Sequence, residues 1–183
     1  MTRRHRKSVP TTWLMTDERV DAAALLAAAA RLPKGRGGIV FRHYRTAAAE
    51  RRALFLRFRA IARRRRLVLL LAGSARRAMV WGADGWHGPG RHQGGKWLHG
   101  MAVHDAREVV AARRARADVV FLSPLFPTRS HPGGRALGRV RFSALARGID
   151  VPVMALGGVR ASHRRLLPTI GAAGWAAIDG LTG

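Results

Sequence analysis

The strongest constraint in this sequence is a set of short apolar runs set apart by longer alanine-, leucine- and arginine-rich stretches. Leu67–Leu71 contains no polar residue, and Asp118–Leu122 (Asp-Val-Val-Phe-Leu) only its first. A strand with one wet face alternates polar with apolar residues. A run that is apolar at both parities fits a strand covered on both sides, as in a parallel sheet flanked by helices.

The same alternation continues along the chain. Thr12–Met15, Gly38–His43, Asp84–His87, Leu98–Val103, Val151–Leu156 and Trp175–Ile178 read as further strands. Helices are expected over Asp21–Leu32, closed by Pro33 and Gly35, and from Thr46 as cap to about Arg65. In the second of these Leu54, Phe55, Phe58 and Ile61 recur on one face. Further helices are expected from Ser74 to Trp81, from the cap Asp105 to about Arg116, over Val140–Arg147 and over Ser162–Ile170. Pro124 to Gly138 reads as a long loop. Eight strands alternating with helices define the α/β class. They do not by themselves choose between a closed barrel and an open sheet. No Gly-x-Gly-x-x-Gly turn follows the first strand, which weakens a dinucleotide-binding reading. Between His87 and Leu98 there is too little chain for a helix with two loops, and only a few residues follow Ile178. The helix after the fourth strand and a final helix are therefore expected to be missing. A homodimer through the uncovered wall is one remedy for such exposed apolar surface.

The chain has 183 residues, the length of one domain (1–183), with residues 1–10 expected to form a basic, flexible arm. Cysteine is absent, which excludes disulfides, thiolate metal sites and a cysteine nucleophile. The apolar run Leu67–Ala72 falls far short of the roughly 20 residues of a membrane span, and no signal core follows the basic N-terminus. A cytoplasmic, non-membrane protein is expected. The net charge is +24, and of 34 basic residues all but Lys7, Lys34 and Lys96 are arginine. Arginine-heavy composition on solvated helix faces accounts for this. A polyanion or nucleic-acid surface is the alternative, and weak nonspecific polyanion binding is expected in either case. His43, His87, His92 and His104 match no zinc-ligand spacing, and no Asp or Glu is read beside them. The five tryptophans read as core or as cover for the missing helix.

Several segments carry a family resemblance. Phe121-Leu122-Ser123-Pro124-Leu125-Phe126-Pro127-Thr128-Arg129-Ser130-His131 resembles Gly-Pro-Val-Phe-Pro-Thr-x-Thr-Lys on strand six of the thiamine phosphate synthase family. Pro152-Val153-Met154-Ala155-Leu156-Gly157-Gly158-Val159 resembles its Pro-Val-x-Ala-Ile-Gly-Gly-Ile. Gly82-Ala83-Asp84-Gly85-Trp86-His87 resembles Gly-Ala-Asp-Gly-Val-His on strand four. Met101–His104 and Leu14–Asp17 match strands five and one. The family comprises the synthases and a related thiazole tautomerase. The resemblance implies a (β/α)8 TIM barrel, here reduced, with its site at the C-terminal mouth.

By the same resemblance, Arg42, His43, Thr128, Ser130, His131, Gly157, Gly158 and Asp179 are implied to bind a small phosphorylated or anionic ligand. Arg42 and His104 are the implied catalytic candidates. His104 matches a position implied to transfer protons in the tautomerase, and histidine is the side chain that changes charge near neutral pH. His43, His104 and His131 are expected to converge on the mouth. Other family positions have changed. Of Gln-x-Arg-x-Lys on strand two only Arg42 remains, between Val40 and Tyr44. The Asn-Asp end of strand three, implied to hold Mg2+, is Ala72-Gly73, and the second metal aspartate falls near His92. No metal ligands are assigned, and Mg2+ enters only with a retained synthase activity. The readings are a divergent synthase-like protein of thiamine biosynthesis binding an anionic heterocycle, a tautomerase-like enzyme using His104, or a noncatalytic regulatory or nucleic-acid-binding barrel.

Overall fold

A computed structural model describes residues 9–92, 94–128 and 134–182. Most of the basic arm, Ser130 and His131 lie outside the described residues. The order is β1 (Thr12–Met15), α1 (Ala22–Arg31), β2 (Gly37–Phe41), α2 (Ala48–Arg65), β3 (Val68–Ala72), α3 (Ala75–Trp81), β4 (Gly85–His87), β5 (Leu98–Val103), α4 (Ala106–Arg114), β6 (Val119–Leu122), α5 (Gly138–Ala146), β7 (Val153–Ala155), β8 (Gly174–Ala177) and α6 (Asp179–Thr182). The strands form a closed parallel barrel in sequence order, with β8 pairing back to β1 through Trp13 and Ala176.

Strand periodicity sends alternate side chains inward. Trp13, Met15, Val40, Leu70, Val119, Phe121, Met154 and Ala176 fill the lumen. The Trp13 and Phe121 rings meet edge to face at 5.3 Å. The other parity packs outward against the helices, with Ile39, Phe41, Leu69 and Leu71 meeting Phe55 and Phe58 of α2. Each such buried side chain contributes on the order of 1.5–3 kcal/mol. At the N-terminal ends two carboxylates clip neighbouring strands. Asp84 Oδ2 accepts from the Leu69 N–H at 2.9 Å, and Asp118 Oδ2 from the His99 N–H at 2.9 Å.

The caps explain several element starts. Asp21, Ser74 and Asp105 accept from Ala24, Arg77 and Glu108 N–H at the starts of α1, α3 and α4. Thr46 does not cap α2 as expected: Ala47 stands at that position without a side-chain bond, and Thr46 Oγ1 instead donates to Glu18. The expected helix over 162–170 is two 3-10 turns, Ala161–Arg165 and Pro168–Ile170. Pro168 lacks the N–H that a continuous helix needs. Among the described residues no helix joins β4 to β5. There the outer wall is covered by the chain's own loop: Trp86 is buried, stacked on His99 (4.2 Å) and His92 (5.6 Å), with Trp97 packed beside them. The final helix is one turn, α6, whose Leu181 carbonyl accepts from Arg31 of α1 at 3.2 Å. Among the described residues no helix is long and apolar enough to cross a membrane.

Candidate functional site at the barrel mouth

Where β1 and β2 end, the chain opens a cleft of about 830 Å3 whose walls include Thr16, Asp17, Arg42, His43, Tyr44 and Glu50. Arg42 continues the inward parity of Val40. Its Nε donates to the Thr16 carbonyl at 2.8 Å and its Nη2 to Asp17 Oδ2 at 3.1 Å, while its N–H donates to Thr16 Oγ1 at 2.9 Å. The side chain is 24% exposed. Nη1 makes no hydrogen bond among the described residues. Burial lowers the guanidinium's pKa, yet arginine stays charged at any ordinary pH. Asp17 also receives Arg19, at 2.9 Å on Oδ1 and 2.7 Å on Oδ2. The hydrogen bonds from Arg19, aided by the charge of Arg42 and opposed by burial, hold the Asp17 carboxyl at about 2.

Two residues that shape this cleft went unread in the sequence. Arg51 of α2 is 6% exposed. Its Nη2 donates to the carbonyls of Arg42 (2.8 Å) and Ala72 (2.9 Å), so it ties the ends of β2 and β3 together. Its guanidinium lies 5.4 Å from the centre of the Trp81 ring. The signal was present: Arg51 precedes Phe55 by four and Phe58 by seven, on the buried face of α2. Glu18 Oε1 accepts from Arg45 N–H, Thr46 N–H and Thr46 Oγ1 at 2.6, 2.7 and 2.9 Å, fixing the loop that carries Tyr44.

The histidines divide. His43 lines the cleft, with Nδ1 2.9 Å from Thr16 Oγ1 and its ring stacked on Phe41. Burial pushes its pKa down. His87 sits inside the barrel against the Phe121 ring at 5.3 Å, its Nδ1 buried without a hydrogen bond among the described residues. Burial, with a smaller push from the charge of Arg42, lowers His87 to about 3. His104 follows β5 at the mouth, but it is not among the residues lining the cleft. Its Nδ1 lies 2.8 Å from Glu108 Oε2, which also accepts its N–H at 2.6 Å, and its side chain is half exposed. His92 Nε2 is 3.3 Å from Asp118. Two of the four histidines therefore do have acids beside them, brought there by a helical i,i+4 step and by a cross-strand approach that linear spacing does not display.

The strand-six and strand-seven motifs pack on each other. Leu125 and Phe126 N–H donate to the Leu156 and Gly157 carbonyls at 2.8 and 3.0 Å. Gly157 and Gly158 hold φ of +88° and +63°. A Cβ on Gly157 would lie 2.7 Å from Pro124 Cα, and one on Gly158 2.5 Å from the Pro127 carbonyl oxygen. Glycine is thus needed here by backbone conformation and by close approach. Thr128 is half-buried in the same loop. Asp179 opens α6, and its charge reaches Arg19, raising that guanidinium's pKa after the larger effect of Asp17.

A divalent metal such as Mg2+ needs converging oxygen ligands. Among the described residues no three His, Asp or Glu side chains could hold a metal ion. The strand-three end is Ala72-Gly73, and the cleft's Asp17 is engaged by two arginines. The described residues do not fit the metal.

A parallel eight-stranded barrel with its cleft at the C-terminal strand ends defines a TIM-barrel protein. The family model described as thiamine monophosphate synthase matches residues 12–181, and the chain belongs to that family. It is 27% identical over 129 residues to "Putative thiamine-phosphate synthase 2" of Aquifex aeolicus, covering 66% of this chain and 69% of that one. It is 25% identical over 171 residues to the thiamine biosynthesis bifunctional protein ThiED of Geobacter sulfurreducens, covering 85% of this chain and 33% of that much longer one. The thiamine phosphate pyrophosphorylase of Pyrococcus furiosus shares the fold, with a TM-score of 0.76 at 20% identity over 97% of this chain and 89% of its own.

Proposed function

We propose that this family member binds a phosphorylated or otherwise anionic heterocycle at the barrel mouth, within thiamine biosynthesis and in the reducing cytoplasm, without Mg2+-dependent synthase chemistry. The carrying observation is Arg42, a mostly buried guanidinium lining the cleft with Nη1 unbonded among the described residues. Such a group offers a preorganised, partly desolvated donor to an anion. Thr16 and Asp17 fix its direction. His43, Thr128, Ser130, His131 and the Gly157-Gly158 turn are the further anion-contact candidates in this reading. Asp179, whose charge lies toward Arg19, acts on the anion through that arginine. Among the described residues no ligand set supports synthesis by metal-assisted loss of pyrophosphate.

The test pairs two measurements. Protein incubated with both synthase substrates and Mg2+ is expected to yield no thiamine phosphate, and calorimetry with the thiazole phosphate is expected to show binding that Arg42→Ala removes. Product formation sensitive to Arg42→Ala would defeat the loss of synthase chemistry. Absence of binding by the wild-type chain would defeat the ligand reading.

A second reading rests on the His104–Glu108 hydrogen bond of 2.8 Å. A carboxylate orienting an imidazole is the arrangement of a general base. It supports proton transfer of the tautomerase kind, and loss of that activity in Glu108→Gln is its test.

A further inference from the structure

The chain's acidic residues are segregated along the barrel axis. Of ten acidic residues, seven stand at the mouth end. Asp17, Glu18 and Asp21 follow β1. Glu50, Asp105 and Glu108 lie at or before the first turns of α2 and α4, and Asp179 opens α6. At the opposite end only three remain. Asp84 and Asp118 are spent on the strand-clipping hydrogen bonds, and Asp150 lies 3.6 Å from Arg113.

All helix C-termini of a parallel barrel point to that opposite end. The turn from α1 into β2 brings Lys34 and Arg36, and the end of α2 brings Arg63, Arg64, Arg65 and Arg66. The two groups are one surface: Gly35 N–H donates to the Arg65 carbonyl at 2.9 Å, and Arg65 Nη2 to the Leu32 carbonyl at 2.8 Å. Glu50, at the far end of α2, is the sole acid between Asp21 and Asp84. One cation per helix end stabilises the dipole by about 0.3–1 kcal/mol. That effect does not call for four consecutive arginines beside two more cations.

We propose that this patch, on the face opposite the mouth, binds the phosphodiester backbone of a nucleic-acid duplex. Arginine forks pair with phosphate oxygens bidentately. Among the described residues, the patch segments 31–36 and 63–66 carry no large exposed apolar side chain, and the exposed Met79 and Val80 stand on a separate element, the last turn of α3. An anionic membrane surface favours apolar anchors interleaved with the cations, so its absence of anchors favours the duplex. Binding there reads phosphates and leaves sequence unread. It is independent of the mouth ligand.

The experiment is fluorescence anisotropy of the full chain with a labelled duplex of about 20 base pairs, across salt from about 50 to 200 mM. The patch variant combines Arg36→Glu, Arg63→Glu and Arg64→Glu, all exposed. The control combines Arg139→Glu, Arg141→Glu and Arg164→Glu, also exposed, with the same change in net charge. The patch variant is expected to weaken binding at least about tenfold and to lower the salt slope by roughly 2–3, with the control within about threefold of wild type. Equal loss in both variants would show that net charge alone binds, and overturn the assignment. Unchanged binding in the patch variant would also overturn it, as would patch-dependent binding to phosphatidylserine vesicles without duplex binding. Circular dichroism verifies folding, and if the glutamate variant unfolds, glutamine at the same three positions gives the same reading.

Discussion

Placing His87 inside the barrel links acidification to unfolding. The folded chain holds this imidazole neutral down to about 3, while an unfolded chain protonates it near 6.5. Because the folded-state value is the lower one, the unfolded state binds the extra proton between those limits. Stability therefore rises with pH through this window and is lost as pH falls below about 6.5. Each pH unit is worth about 1.4 kcal/mol per proton. Between about pH 7 and 4.5 His87 alone removes about 2.5 kcal/mol, a large share of a typical domain's stability. The perturbation that isolates it is His87→Leu, which fits a site against Phe121 and leaves no donor unpaired. Urea unfolding of both proteins across that range measures the difference. Wild type and variant are expected to differ little at pH 7 and to diverge by about 2.5 kcal/mol at pH 4.5, the variant then being the more stable. Asp17 and His43 titrate in both proteins and cancel. Parallel stability curves would refute the buried, neutral His87.

Arg51→Met leaves the Arg42 and Ala72 carbonyls without their donor, and is expected to cost about 3 kcal/mol by thermal unfolding. Gly158→Ala combines positive φ with a clash on the Pro127 carbonyl oxygen; a loss of about 2 kcal/mol or more is expected in the same assay. Asp17→Asn removes the carboxylate that engages Arg42. It is expected to tighten inorganic phosphate binding severalfold by calorimetry, an effect that Arg42→Ala in the same chain abolishes.

The strand–helix alternation was legible because its strands are apolar at both parities and its caps are local, with Asp21, Ser74 and Asp105 acting on residues three further on; closure into a barrel was legible only through the family resemblance. The errors have local causes too. Thr46 offered a hydroxyl at the right place, but Glu18, distant in sequence, captured it. Pro168 sat inside a stretch read as one helix and split it. At the mouth, Arg42 was read from a matched motif position and His43 from the end of the second strand, and both line the cleft. Arg51 and Glu18 were not, because their partners are backbone groups 9 to 28 residues away. Asp17 could be seen as a residue of the first strand's end, but not as the counter-ion of Arg42 across 25 positions.

The pairing of β8 with β1 places Trp175 beside Thr12. The opening and closing strands are therefore neighbours, while the β4–β5 connection is a glycine-rich surface loop with exposed Gly94, Gly95 and Lys96. A chain relinked across β8 and β1 and reopened between Gly94 and Gly95 would wind the same barrel from a different starting strand. It would keep Arg42 and its cleft on a continuous segment, now in the C-terminal half of the rearranged chain.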